Sequence, residues 1–335
     1  MKKKDIIKDI IKFEKKYSKI FFKSGLNIRK SFSDVKLKNN LNLNSTYKIK
    51  IDNVVFHFNL KSFICRAAIL NSEQNRKYFF EPQTTKLLKI LNKKNGNTVI
   101  GGAFIGDHAC LLANRNNNIY AFEADKQNFK FLKKNKNFNK LKNLKIFNLC
   151  LYKKDNVFLK YKNNDLRNQD QAHISFIKNL SKSEMITTKI DSFIKNKNIK
   201  KINTIVLDIE GGELDALIGA KKTLNFGVKN IIFEIHSQFI DFSKGLNNLK
   251  IIKFLKKYNY SFFAIRDDHD NVGTYNKIEL IPLNKVYYKG PKHGFNIFAT
   301  KDKKILKHIN IKIVNKKFSP KYLLYKENKI FHPVN

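Results

Sequence analysis

The sequence predicts an α/β protein built on a doubly wound, mainly parallel sheet. From residue 97 onward, short runs rich in β-branched and aromatic residues alternate with segments of helical periodicity. The predicted strands are NTVIGG, NNIYAFE, LKIFNLCL, INTIVLD and KNIIFEI, and the intervening helices include QNFKFLKKNKNFN and LDALIGAKKTLN. This alternation is typical of parallel sheets, in which ligands bind beyond the carboxyl ends of the strands.

Two later runs, YSFFAIRDD and HGFNIFATK, are predicted strands separated by KIELIPLNKVYYKGPKHG, an irregular loop long enough to border a substrate site. We therefore place the main domain at residues 96–301, with an insertion at 151–193. Residues 1–95 form a mixed, partly helical lead-in, in which Pro82 suits the first turn of a helix. Residues 302–335, rich in lysine, form a peripheral extension.

The bulk composition indicates a globular, cytoplasmic protein. The chain has 335 residues, 42% of them apolar, which suffices for a sizeable core. No apolar run approaches the roughly 20 residues that span a bilayer, and charges interrupt the lysine-rich start before a signal-peptide core could form. Cys65, Cys110 and Cys150 are far apart and odd in number, so they indicate neither a disulfide framework nor a zinc site.

The net charge of +40 raises the question of a nucleic-acid partner. Almost all of the positive charge is lysine, with only six arginines, and it is spread along the whole chain. Bidentate contacts to phosphate or guanine would favour arginine gathered on one element. We interpret the charge mainly as a solvated lysine-rich surface, and a nucleic-acid partner stays an alternative that we do not favour.

Residues 1–24 predict an amphipathic basic helix. Its apolar side chains recur at helical spacing, with lysines opposite, and they are Ile6, Ile10, Phe13, Tyr17, Ile20 and Phe21. Packing against the body of the protein is the first interpretation, and contact with an anionic membrane surface is the alternative.

The bend after the first predicted strand indicates the ligand. A dinucleotide loop of the form G-x-G-x-x-G would need glycine at position 103, where this chain has Ala103. Asp107 then opens a helix, where its carboxylate would compete with a phosphate for the free amides. Glu123 ends the second strand 21 residues after Gly102, near the separation at which a carboxylate binds ribose hydroxyls. Glu123 alone could be a surface residue; together these features favour an adenosine carrying a positive centre, such as S-adenosylmethionine.

Five blocks of the sequence together resemble the FkbM-type methyltransferase family over roughly residues 80 to 300. They are TVIGGAFIGDHA, IYAFEADKQNFKFLKKNKNFN, TKIDSFI, IVLDIEGGELDALIGAKKTL and IIFEIH, in the family's order. The resemblance implies a class I, Rossmann-like methyltransferase fold whose sheet ends in an antiparallel strand, with S-adenosylmethionine as donor. It also implies O-methylation of a hydroxyl on a sugar, a glycolipid or a secondary metabolite.

The resemblance assigns roles to individual residues. The loop on the methionine side of the cofactor would be Gly102, Ala103 and Gly106, with Glu123 as the ribose carboxylate. The family's D-x-E-G-x-E element would be Asp208, Glu210, Gly211 and Glu213. One position departs from the family: an acidic residue commonly ends the first strand, and here that position is Ile100. Either Asp107 takes over this role or the pocket binds the cofactor weakly.

Methylation of a hydroxyl needs a group that takes up its proton. We predict Asp208, Glu210 and His236 as catalytic candidates, since two crowded carboxylates raise one another's pKa and histidine titrates near neutrality. A helix cap for Asp208 and a backbone-bonded histidine for His236 are the alternatives. His173, in the insertion, is a weaker candidate for the acceptor side. An oxygen-only set such as Asp208, Glu210 and Glu213 suits Mg²⁺ or Ca²⁺, but spacing alone does not establish a site, and we predict no metal.

The sequence thus predicts an S-adenosylmethionine-dependent O-methyltransferase for a sugar, polysaccharide precursor, glycolipid or similar small acceptor. An RNA methyltransferase is the alternative that the net charge suits. The fourth strand, however, lacks the Asn/Asp-Pro-Pro-aromatic element that resembles base-amine methylases, and no cysteine lies there. A binding module with a degenerate cofactor pocket is the non-enzymatic alternative, and the sequence does not indicate an oligomeric state.

Overall fold

A computed structural model of the chain describes residues 3–24, 28–92, 96–113, 117–163, 172–175, 184–267, 277–288 and 294–320. The α-helices within these residues are α1 (Lys3–Ser24), α2 (Asp34–Asn40), α3 (Phe63–Glu73), α4 (Pro82–Leu91), α5 (Asp107–Ala113), α6 (Lys126–Phe138), α7 (Ile190–Asn196), α8 (Glu213–Ile218), α9 (Lys221–Asn225) and α10 (Lys250–Lys256). The strands are β1 (Tyr47–Ile51), β2 (Val54–Phe58), β3 (Asn97–Gly101), β4 (Ile119–Phe122), β5 (Leu144–Phe147), β6 (Cys150–Leu151), β7 (Phe158–Asn163), β8 (Ala172–Ser175), β9 (Glu184–Thr188), β10 (Ile202–Leu207), β11 (Asn230–His236), β12 (Ser261–Ile265), β13 (Ile278–Pro282), β14 (Gly294–Thr300) and β15 (Ile311–Ile313).

A nine-stranded sheet forms the centre of the described molecule, in the order β15-β13-β12-β14-β11-β10-β3-β4-β5. The strands from β11 to β5 are parallel neighbours, and β14 runs antiparallel to both β11 and β12. Within this sheet the first strand in the chain is β3. The next two, β4 and β5, lie on one side of it, and the chain then crosses to β10 on the other side, so the switch point lies between β3 and β10. This confirms the predicted doubly wound, mainly parallel sheet with an antiparallel strand near its end.

The central strands are buried on both faces, as expected for strands covered by helices on each side. In β3, Val99 packs into one hydrophobic cluster and its neighbour Ile100 into the other, because successive side chains of a strand point to opposite faces. This two-sided core fixes the carboxyl ends of β3, β4, β10 and β11 at one edge of the sheet.

The N-terminal region packs firmly on this body. Ile6, Ile7 and Ile10 of α1 are buried in the core cluster that also contains Ile100, whereas Ile20 is 60% exposed. Packing against the body, the first interpretation of this helix, describes its first three turns. Contact of residues 1–24 with a membrane surface stays a prediction, and none of the described helices is long and apolar enough to cross a bilayer.

Buried ion pairs connect the elements of the N-terminal lead-in. The guanidinium of Arg29 donates from Nε and Nη2 to the Glu14 carboxylate, both at 3.0 Å, and Arg66 pairs with Asp34. Such pairs hold their elements in one arrangement, because removing one partner would leave a buried charge uncompensated.

Three segments outside the central strands differ from or extend the expectations. The stretch predicted as an irregular loop contains β13, so that prediction is wrong for residues 278–282. This strand pairs with β12 on one side and with β15 on the other, and its apolar residues are buried. Strand β15, within the predicted C-terminal extension, pairs with β13. The insertion carries strands β6 to β9 in a separate four-stranded sheet. His173 lies on β8, and its side chain falls outside the described part of the chain.

Candidate active site

A tight glycine corner follows β3. Gly102 has φ +74°, and a Cβ at this position would lie 1.7 Å from the carbonyl oxygen of Asp208. Gly106 has φ +93°, and a Cβ there would lie 2.6 Å from Sγ of Cys110. The backbone N–H of Ala103 donates to the Phe122 carbonyl at 2.9 Å. The corner is therefore held between the ends of β4 and β10, and only glycine fits at its two sharpest positions.

Glu123 reaches back onto this corner. Its Oε2 accepts a hydrogen bond from the Phe104 amide at 2.7 Å, and its Oε1 accepts one from the Asp125 amide at 2.8 Å. The residue is 7% exposed, and burial raises the pKa of its carboxyl to about 8. Each carboxylate oxygen has a second lone pair, so Glu123 can still accept hydroxyl hydrogen bonds. The structure thus places Glu123 beside the loop, and its ribose-binding role stays a prediction.

We expect Glu123→Ala to weaken S-adenosylhomocysteine binding by roughly 1–3 kcal/mol, because the ligand hydroxyls lose their acceptor and two loop amides lose theirs. Isothermal titration calorimetry measures this directly. Glu73→Ala, at the exposed end of α3, is the matched control and should leave the affinity unchanged. An unaltered affinity for the Glu123 variant would remove this residue from the cofactor site.

Three carboxylates meet at the ends of β10 and β11. Asp208, Glu210 and Glu234 each place one oxygen within 4.8 Å of the others. Asp208 is exposed at this edge, whereas Glu210 and Glu234 are half-buried. Glu210 adopts φ +53°, a left-handed conformation uncommon for a residue with a side chain.

Glu234, the third member of this cluster, is not among the catalytic candidates predicted from the sequence. A usable signal was present, because Glu234 and His236 are two residues apart on one strand and therefore share a face. Gly294 of β14 makes room for the carboxylate: a Cβ there would lie 2.2 Å from Glu234 Oε1.

Of the three carboxyl groups, Asp208 has a clearly shifted pKa. Part of the residue is exposed to solvent, but the protein groups packed around its carboxyl desolvate it. Together with the nearby charges of Glu81, Glu213 and Asp107, this desolvation raises the pKa of Asp208 above the ordinary aspartate value. A carboxylate of raised pKa is a stronger base when it does ionise, as a hydroxyl proton acceptor needs to be.

Glu213 holds the loop between β10 and α8 through backbone hydrogen bonds. Its Oε1 accepts hydrogen bonds from the amides of Ile209 at 3.0 Å and Gly211 at 3.2 Å, and burial raises the pKa of its carboxyl to about 7. The oxygen cluster therefore contains Glu234 in place of Glu213. Its donor set would suit Mg²⁺ or Ca²⁺, acidic groups also meet without an ion, and the absence of a metal stays a prediction.

His236 lies at the same strand end. Its Nδ1 accepts a hydrogen bond from the Gln238 amide at 3.0 Å, and its ring lies 5.2 Å from that of Phe239. To act as a base through Nδ1, His236 would have to break its hydrogen bond with the Gln238 amide. Asp208 and Glu210 are therefore the stronger candidates for accepting a proton. The catalytic role of His236 stays a prediction.

The start of α5 carries a second charged group of residues. Burial raises the pKa of Asp107, the first residue of this helix. His108 follows, and its Nε2 lies 3.7 Å from Oε2 of Glu81, a residue from the lead-in that sequence reasoning missed. Ile100 is 3% exposed and packs in the apolar core, so the carboxylate common at that strand end has no counterpart there.

Comparison with known proteins shows the family of the chain. Residues 74–262, more than half of the chain, match the family model of the methyltransferase FkbM domain. The match begins before the predicted boundary at residue 96 and includes α4 and Glu81. A search of the curated proteins found no match to the chain.

The chain is also similar to several solved structures, at low sequence identity. The methyltransferase FkbM from Methylobacillus flagellatus is 14% identical over 51% of this chain and 40% of its own, with a TM-score of 0.36, so the chain spans less than half of that protein. An S-adenosylmethionine-dependent methyltransferase from Agrobacterium tumefaciens is 10% identical over 78% and 71% of the two chains, with a TM-score of 0.41. TYW2 from M. jannaschii, solved with AdoMet, is 13% identical over 77% and 87%, with a TM-score of 0.38. The family match and the doubly wound sheet together give the fold as the class I methyltransferase type, as predicted.

Proposed function

Because the chain belongs to the FkbM methyltransferase family, we propose that it methylates a hydroxyl of a sugar, a polysaccharide precursor, a glycolipid or a similar small acceptor. S-adenosylmethionine is the methyl donor. The observation that carries the proposal is the meeting of Asp208, Glu210 and Glu234 at the ends of β10 and β11, on the same side of the sheet as the glycine corner.

The residues of the corner fit the cofactor. At Gly102 the absence of a side chain lets the loop approach the Asp208 carbonyl, and Gly106 frees the turn into α5. Gly102, Ala103 and Gly106 would hold the methionine side of the cofactor. Glu123 would accept hydrogen bonds from the ribose hydroxyls, and Asp107 would face the positively charged part of the cofactor. The bound cofactor supplies a methyl group on a sulfonium, which needs alignment with the acceptor more than activation.

The carboxylate cluster suits a hydroxylated acceptor. Neighbouring hydroxyls of a sugar can each donate to a carboxylate oxygen, which orients the ring. Asp208 or Glu210 then takes up the hydroxyl proton as the new C–O bond forms. Because the pKa of Asp208 is raised, it is closer to the pKa of the hydroxyl group, and proton transfer to Asp208 is less unfavourable than transfer to an ordinary aspartate.

The same cluster argues against RNA as the acceptor. This acidic cluster offers no cation that could bind a phosphate backbone at the reacting site, although the net charge of +40 would attract RNA elsewhere on the surface. We place the activity in the cytoplasm, since Cys65, Cys110 and Cys150 are free thiols, as a reducing compartment maintains.

The test is transfer of tritium from S-adenosyl-[methyl-³H]methionine to fractions of a cell extract. We expect label in polysaccharide or glycolipid fractions, retained after RNase treatment and lost in the Asp208→Asn variant. Label in total RNA alone would replace this acceptor class by RNA. Cofactor binding without transfer to any fraction would favour the binding module.

A further inference from the structure

The end of β3 offers no acidic side chain to the crevice, because Ile100 packs in the core. The ammonium of the cofactor's amino-acid tail therefore has no anionic partner on that strand. A replacement has to be a charged side chain held near the corner between β3 and β10.

Glu81 meets this description. It precedes α4 and would ordinarily cap that helix, but Asp267 accepts from the helix amides of Gln83 at 3.0 Å and Thr84 at 2.7 Å. With the cap supplied by Asp267, the Glu81 carboxylate points instead to Asn296, whose Nδ2 donates to Oε2 at 2.7 Å. Glu81 adopts φ +46°, a strained backbone for a residue with a side chain. A strained, buried carboxylate held by another element is typical of a functional position.

His108 brings the opposite charge to the same place. Its Nε2 lies 3.7 Å from Glu81 Oε2, and its Nδ1 lies 3.3 Å from Thr85 Oγ1. Burial alone would lower the pKa of His108, but the charges of Asp107, Glu81 and Asp208 outweigh it and raise the pKa to about 9. His108 is therefore an imidazolium at neutral pH, one residue into the helix that follows the corner.

We propose that Glu81 and His108 together bind the amino-acid tail of S-adenosylmethionine, Glu81 taking its ammonium and His108 its carboxylate. An α-amino acid presents a cation and an anion on neighbouring atoms, and this pair presents the complementary anion and cation 3.7 Å apart. The pair supplies the anionic partner that β3 does not offer. The inference depends on the cofactor and holds whatever the acceptor is.

The experiment measures three ligands on three proteins by isothermal titration calorimetry. The ligands are S-adenosylhomocysteine, its analogue without the α-amino group, and 5′-methylthioadenosine, which lacks the tail. Glu81→Gln should weaken S-adenosylhomocysteine roughly 10- to 100-fold and leave the other two ligands unchanged. His108→Gln should weaken S-adenosylhomocysteine and the deaminated analogue by a similar factor and leave 5′-methylthioadenosine unchanged.

Controls separate binding from folding. Glu73→Gln, an exposed glutamate at the end of α3, should bind all three ligands like the wild type, and melting temperatures report stability. If Glu81→Gln does not fold, Asn296→Ala keeps Glu81 but removes its donor, and S-adenosylhomocysteine alone should weaken. Equal weakening of all three ligands, or none, would overturn the proposal. Failure of the wild type to bind any of them would overturn the cofactor itself and this inference with it.

Discussion

Gly102→Ala is expected to destabilise the fold by roughly 2–6 kcal/mol and to abolish cofactor binding. The new Cβ would lie 1.7 Å from the carbonyl oxygen of Asp208, and an L side chain is strained at φ +74°. Because the clashing atom belongs to the backbone, relief requires the end of β10 to separate from the corner. Urea unfolding and titration with S-adenosylhomocysteine measure the two effects.

Gly227→Ala is a closely matched control. Gly227 also has positive φ, +104°, but nothing lies within 4 Å of a Cβ built there. Its variant should show the cost of backbone strain, about 1–3 kcal/mol, with unchanged cofactor affinity. If both variants lost the same free energy of unfolding and both bound the cofactor, the close approach of the corner to Asp208 would not matter for cofactor binding.

Asp208→Asn is expected to lower kcat by roughly 10²- to 10⁴-fold with little change in cofactor affinity, because the variant keeps the shape but cannot accept the proton. Single-turnover methyl transfer measures the effect. Asp302→Asn is the control, since Asp302 follows the antiparallel β14 and lies at the opposite edge of the sheet. Unchanged turnover in the Asp208 variant would move the base to Glu210 or His236.

The pH profile gives an independent reading of the same residue. The raised pKa of Asp208 means that the carboxylate form, the one that accepts a proton, accumulates only as pH rises well above the ordinary aspartate value of about 4. We therefore expect kcat/KM to rise with pH through the neutral range, and this dependence to disappear in Asp208→Asn. A profile that is already flat from about pH 5 would contradict the assignment.

Much of the fold and part of the site could be predicted because their signals are local. The strands that flank the corner are short apolar runs, and Gly102, Glu123 and Asp208 each lie at the end of one. The glycine corner, the glutamate beside it and the carboxylates after the fourth strand of the doubly wound core follow from that spacing alone.

The rest depends on contacts that no local pattern encodes. Glu81 is held by Asn296, 215 residues away in the chain, and its helix is capped by Asp267, 184 residues from Gln83. Glu81 lies in the N-terminal lead-in, and no sequence pattern there predicts that its side chain lies near the strand ends. β13 was missed because it lies between β12 and β15, and β15 belongs to the C-terminal segment that the sequence analysis treats as a peripheral extension.

The most direct test of the central claim is a crystal structure with S-adenosylhomocysteine bound. We predict the ribose hydroxyls within hydrogen-bond distance of Glu123 and the sulfur facing the carboxylates of Asp208, Glu210 and Glu234. A ligand bound away from the Gly102 corner, or with its sulfur turned from these carboxylates, would contradict the assignment of this edge as the site of methyl transfer.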